Sequence, residues 1–195
     1  MLTVTLKLRL VFYLINAILF IMKEFEPVPK ITEMKEAARE FRNLLDRCDK
    51  RSTKLLIECF PIMSCKLSSM LLSYHFLMLW PDLEIKGISA ATGRNNDITH
   101  YWLEINDIAI DITGDQYNII SDIELNENII MNRPFEAVHV SNKNKSYLYK
   151  LFKVIESEPL IYGFPTIAED FIEDMELSYS QITHKSGYYV TRRLE

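Results

Sequence analysis

From His100 to Thr113 the chain reads His-Tyr-Trp-Leu-Glu-Ile-Asn-Asp-Ile-Ala-Ile-Asp-Ile-Thr. Large apolar residues recur at every second position on both sides of Asn106-Asp107, the pattern of two strands joined by a two-residue turn. That turn predicts Ile105 opposite Ile108, Leu103 opposite Ile110 and Tyr101 opposite Ile112, one wholly apolar face. On the other face Glu104 falls opposite Ala109, Trp102 opposite Asp111 and His100 opposite Thr113. His100 and Asp111 are then diagonal neighbours, roughly 7–8 Å apart at the backbone and closer at Cβ, within reach of a hydrogen bond.

Elsewhere the pattern is mostly helical. Leu67, Met70, Leu71, Tyr74, Leu77 and Met78 follow helical spacing from Cys65 onward, and Pro81 stops that helix. Ile31 to Arg51 reads as an amphipathic helix with Ile31, Met34, Ala38, Phe41, Leu45 and Cys48 on its stripe. Ser52 to Cys59 adds a further turn or two, Glu84 to Ala90 reads as a strand, and Gly93 to Asp97 is a loop whose Arg94 is a solvated charge. Ser146 to Glu158 predicts a helix with Leu148, Leu151, Phe152 and Ile155 on one side. Thr166-Ile-Ala-Glu169 matches a capping box opening a short acidic helix to Glu176. Tyr179–Thr183 and Tyr188–Arg192 predict a hairpin around His184-Lys-Ser-Gly187. Helices and antiparallel hairpins together give an α+β class.

The 195 residues, 48% of them hydrophobic, suit one domain with a sizeable core. The net charge of −5 comes without any basic stripe, which excludes nucleic acid as an expected partner. Cys48, Cys59 and Cys65 are odd in number and lack CxxC spacing, so a reducing compartment, the cytoplasm, is expected. His75, His100, His139 and His184 are scattered singly, so neither a metal nor another cofactor is expected. Residues 1–22 form a separate apolar extension: Lys7 and Arg9 precede an uncharged run, Leu10 to Met22, like the start of a signal peptide. No small-residue cleavage site follows, and the run is shorter than the roughly 20 residues of a bilayer span. An anchor or export signal, a core helix, and a true start at Met22 remain open for it; residues 23–195 form the single domain.

Cys65 would occupy the first turn of its helix, where unpaired N–H groups and the positive end of the macrodipole favour a thiolate. A cysteine at a helix start, a histidine on a strand and an aspartate on the adjoining strand make a nucleophile, a base and its orienter. The expected chemistry is acyl transfer on an amide through Cys65, His100 and Asp111. The Cys65 backbone N–H is the first oxyanion donor expected. Trp102 would exclude water and shape the cleft. Gln116, in the turn Thr113-Gly-Asp-Gln-Tyr117, would lend the oxyanion an amide or tie the turn down. His75 lies too far along the Cys65 helix to reach the thiol, and His139 and His184 read as surface or edge residues.

The order of Cys65, His100 and Asp111 resembles the transglutaminase-like branch of the papain-like cysteine enzymes, which includes transglutaminases, peptide N-glycanases and bacterial peptidases. The pattern is most similar to uncharacterised bacterial members carrying Phe-Pro-x-Gly-Cys-Cys-Gly-Asp, then His-Ala-Trp-Leu-Glu and Ile-Asp-Ile-Thr-Ala-Asp-Gln-Phe. Here the stretches are Phe60-Pro-Ile-Met-Ser-Cys-Lys-Leu, His100-Tyr-Trp-Leu-Glu and Ile110-Asp-Ile-Thr-Gly-Asp-Gln-Tyr117. The likeness covers roughly residues 55 to 120 and implies N-terminal helices, with the nucleophile helix packed on an antiparallel sheet. It implies a protein or peptide substrate, with peptidase, deamidase and transglutaminase types sharing one machinery. The motif's glycines are replaced here and Ser64 stands at its first cysteine, which keeps open a catalytically inactive, binding member of the branch.

Overall fold

The computed structural model describes residues 28–185, an α+β arrangement around one five-stranded antiparallel sheet. The apolar segment of residues 1–22 lies outside the described residues, and among those described no helix is long and apolar enough to cross a membrane. The first helix, α1 (Ile31–Arg47), buries Met34, Ala37, Ala38, Phe41, Leu44 and Leu45 along one stripe. It ends before the predicted Arg51. Asp49 accepts a hydrogen bond from the Arg51 backbone and starts a separate 3₁₀ turn, Lys50–Ser52, so a local side-chain cap outcompetes helix continuation.

Helix α2 (Cys65–Leu79) begins and ends where the sequence pattern places it. It is buried on nearly every side: Ser68, Ser69, Ser73 and His75 are as deep as Met70, Leu71, Leu72, Phe76 and Leu77. The reason is its position between α1, the C-terminal helix and the sheet. His75 stacks on Phe41 at 4.8 Å and bonds the Tyr179 hydroxyl at 2.9 Å, and burial pushes its pKa down to about 4.

Strands β1 (Ile85–Thr92), β2 (Ile98–Ile105), β3 (Ile108–Asp111), β4 (His139–Asn142) and β5 (Lys153–Leu160) lie in the order β4-β3-β2-β1-β5. The β2–β3 register pairs Ile105 with Ile108, Glu104 with Ala109 and Leu103 with Ile110, as the alternation predicts. Asn106 holds the turn at φ 53, a left-handed conformation that asparagine tolerates well. Tyr101, Leu103, Ile105, Ile110 and Ile112 pack beneath α2. The opposite face is covered too. Trp102, Ala109 and Ile88 pack there against Tyr117, Phe135, Leu148 and Phe152 from the chain after β3. That chain includes a 3₁₀ turn (Gly114–Asn118) and the short helices α3 (Glu127–Met131) and α4 (Tyr147–Leu151).

The C-terminal part departs from the pattern reading. The predicted helix over 146–158 is only α4, after which Phe152 turns extended and β5 pairs along β1. Pairing satisfies the edge of β1, and the last residue of the supposed stripe, Ile155, is 60% exposed. The capping box at Thr166 does not form, since the Thr166 hydroxyl bonds the Pro159 carbonyl instead. Helix α5 (Glu169–Lys185) starts later and absorbs the predicted strand 179–183. Met175, Tyr179 and Ile182 are buried at helical spacing, so packing overrides the β preference of that stretch. The predicted partner strand, residues 188–192, lies outside the described residues.

Candidate active site

The site forms where the start of α2 meets β2 and the β2–β3 hairpin. The Ser69 hydroxyl bonds the Tyr101 carbonyl at 3.4 Å, fixing the first turns of α2 to the strand that carries His100. Tyr101 itself reaches across β1 at Gly87, where a Cβ would lie 1.7 Å from its hydroxyl. It then donates to Glu158 at 2.7 Å, and Lys66 pairs with the same carboxylate at 3.3 Å. The helix start is therefore tied to β2 and β5.

His100 Nε2 and Asp111 Oδ2 are 2.8 Å apart, and both side chains are fully buried. Asp111 accepts three further hydrogen bonds: from the Thr113 N–H at 2.8 Å, the Thr113 hydroxyl at 3.0 Å and the Tyr147 hydroxyl at 2.7 Å. Burial alone would push the Asp111 carboxyl up. The His100 charge and hydrogen bond, with those from Tyr147 and Thr113, bring it down to about 2. Burial alone would likewise lower the imidazole pKa. The charge and hydrogen bond of Asp111 outweigh it and, joined by the Cys65 side chain, raise it. An imidazolium–carboxylate pair is thus the favoured form.

Cys65 is half-buried as the first residue of α2. Ser64, its neighbour in the motif, is 1% exposed and turns its hydroxyl to the Ile62 carbonyl at 3.2 Å. Ser64 is thus engaged with its own loop, and Cys65 is the member of the pair whose charge favours the His100 imidazolium.

Trp102, expected to shape a cleft, is wholly buried. It packs behind His100 at 6.1 Å, with Tyr117 edge-on at 5.3 Å and Phe152 at 5.4 Å. It keeps water from the rear of the ring and lines no open surface. Gln116 places its amide nitrogen 3.2 Å from His100 Nδ1. His139 lies one layer out, paired with Asp111 across β3–β4, bonded to Ser146 and packed on Tyr147. His184 contacts Ser180 on α5, and Arg94 is exposed in its loop.

No match is found to family models, curated proteins or solved structures.

Three contributors escaped the pattern reading. Thr113 had a signal, an aspartate two residues before it, the spacing of a side-chain-to-backbone turn. Tyr147 had none, because it comes from α4. Gly114 makes room for it: a Cβ there would lie 2.2 Å from the Tyr147 hydroxyl. Arg42, on α1, is the third. Its guanidinium bonds Asp115 twice at 2.8 Å, the Ile112 carbonyl at 2.6 Å and the Ala137 carbonyl at 3.2 Å, clamping the segment that carries Thr113 and Gln116. Among the described residues no group of three or more His, Cys, Asp and Glu side chains could hold a metal ion.

Met63, two residues before Cys65, adopts φ 58 and is 78% exposed. Glycine is the residue for which a left-handed conformation is free of strain. Met63→Gly is expected to stabilise the protein by about 1 kcal/mol, the relief of that strain less the added freedom of the unfolded chain. Thermal denaturation would read this as a rise in Tm of about 2–4 °C. A fall would show that the exposed methionine packs more favourably than its backbone is strained.

Proposed function

We propose that this chain is a cysteine-dependent acyl-transfer enzyme acting on amide bonds of a protein or peptide, of the transglutaminase-like, papain-like type. The observation that carries the reading is the buried His100–Asp111 pair, 2.8 Å apart, beside the start of the helix whose first residue is Cys65. Asp111 occupies Nε2, so Nδ1, beside the Gln116 amide, is the nitrogen that exchanges a proton with the thiol. In the imidazolium form His100 holds at Nδ1 the proton given up by Cys65, and the sulfur attacks the amide carbonyl carbon while the carbonyl electron pair moves to oxygen. The N–H groups of the first turn of α2 offer that oxyanion its donors. Collapse expels the amine, which takes its proton from His100, and leaves a thioester. Water or a second amine, deprotonated by His100, resolves it. Peptide hydrolysis, glutamine deamidation and transamidation differ only in which acyl donor and acceptor are admitted. The left-handed residue two before the nucleophile and the Asp-x-Thr turn after the base support the resemblance. Three unpaired cysteines suit a reducing compartment such as the cytoplasm.

A binding protein that keeps the fold without turnover is the second reading, favoured by the burial of His100, 1% exposed, and by the missing motif glycines. Alkylation separates the two. With iodoacetamide at pH 6, Cys65 is expected to label at least tenfold faster than Cys59, although Cys59 is the more exposed thiol. Labelling of Cys65 no faster than Cys59, mapped by mass spectrometry, would overturn the enzyme reading and leave the binder.

A further inference from the structure

Gln116 is buried, 5% exposed, and its amide lies 3.2 Å from His100 Nδ1, the ring nitrogen that Asp111 does not use. It is held there from behind: its backbone N–H bonds the Thr113 carbonyl at 3.1 Å, and its chain neighbour Asp115 is gripped by Arg42. Two states of His100 make opposite demands on this contact. A neutral ring that donates Nε2–H to Asp111 has a lone pair at Nδ1 and needs a donor. An imidazolium has N–H at both nitrogens and needs an acceptor at Nδ1. A primary amide meets both, since a half-turn about its last bond exchanges Nε2 for Oε1.

Resting on the enzyme reading above, we infer that Gln116 is a positioning residue whose amide follows the His100 proton, donating to Nδ1 in the neutral ring and accepting from Nδ1–H in the imidazolium. The ring is thereby held in one orientation in both protonation states, and because Nδ1 has a single in-plane site, the amide gives up its hydrogen bond there while the proton passes between Nδ1 and the sulfur or the leaving amine. This use of the amide also withdraws Gln116 from the oxyanion. The groups that face the ring are Asp111 from β3, Cys65 from α2 and Tyr117 from the 3₁₀ turn, with Tyr147 acting through Asp111. Beside these, Gln116 is the group at Nδ1 that can both donate and accept without carrying charge.

The test compares full-length wild type with Gln116→Met, similar in length but without the amide, and Gln116→Glu, which only accepts at neutral pH. Ring ¹⁵N shifts of His100 are followed over pH, together with the pH profile of Cys65 alkylation. In Gln116→Met the His100 titration is expected to move down by at least half a pH unit and the alkylation profile up by a similar amount. Gln116→Glu, which accepts from Nδ1–H but cannot donate to the neutral ring, is expected to move the His100 titration up by at least half a pH unit. Should Gln116→Met fail to fold, the Gln116→Glu shift alone decides. Ring shifts unchanged in both variants would overturn the inference, leaving Gln116 a turn-filling residue. The ring measurement does not depend on thiol reactivity, so an unreactive Cys65 in the wild type would count against the enzyme reading while the Gln116 contact is still judged.

Discussion

Asp111→Asn is expected to slow Cys65 alkylation at pH 6 by on the order of 100-fold and to lower Tm by about 10 °C. The carboxylate accepts four hydrogen bonds, two at each oxygen: Thr113 N–H and O–H at Oδ1, His100 Nε2 and Tyr147 O–H at Oδ2. An amide has one accepting end. Turned either way, its NH₂ confronts two buried donors, each costing about 1–3 kcal/mol when left unmet, and about 2–4 °C of Tm follows each kcal/mol in a chain of this size. If the NH₂ faces His100, the ring must accept at Nε2 and carry its proton at Nδ1, the tautomer that cannot take one from sulfur. A thiol of ordinary pKa near 8.5 is only ~0.3% ionised at pH 6, which sets the size of the expected loss.

The pH dependence has a definite sign. Asp111 lies below its unfolded value, so its contribution is whole above about pH 4 and is lost as pH falls toward 2. His100 lies above its unfolded value, so its contribution is whole below about pH 6.5 and fades as pH rises through the folded value. The stability gap between wild type and Asp111→Asn should therefore be widest between about pH 4 and 6.5. Chemical denaturation across pH reads this gap, and a gap that does not vary with pH would show that the pair is not ionised.

Arg42→Met is expected to destabilise the fold by about 3–5 kcal/mol, the range for stripping one partner from a buried pair. Exposed pairs contribute far less, 0–1 kcal/mol, but the Arg42 side chain is 7% exposed and that of Asp115 20%. The substitution strands the Asp115 carboxylate and leaves the Ile112 and Ala137 carbonyls without this donor. Adding Asp115→Asn should recover part of the loss, because the stranded charge is then gone. Urea unfolding of both variants measures this, and an Arg42→Met protein within about 1 kcal/mol of wild type would show that the backbone alone holds the 112–116 segment.

The hairpin and α2 were legible because their periodicities are unbroken and end at recognisable signals, Asn106-Asp107 for the one and Pro81 for the other. With them came the juxtaposition of His100 and Asp111, which needs only strand parity. Strand β5 was not legible, since an edge strand that is exposed over most of its length carries no alternation to read. The second half of α5 misled through Tyr179, Ile182 and Thr183, residue types at home in strands but buried here by contact with α2. Tyr147 and Arg42 were out of reach for another reason: each acts on the site through the folded chain, and neither stands in any local pattern that points to it.

The two residues at the tip of the β2–β3 hairpin carry a constraint out of proportion to their exposure. Inserting or deleting a single residue there would slide one strand past the other and exchange its inside for its outside. Asp111 would then be delivered under α2 and an isoleucine to His100. In any descendant of this sequence the loop is free to vary in composition, whereas its length is bound to the survival of the pair below it.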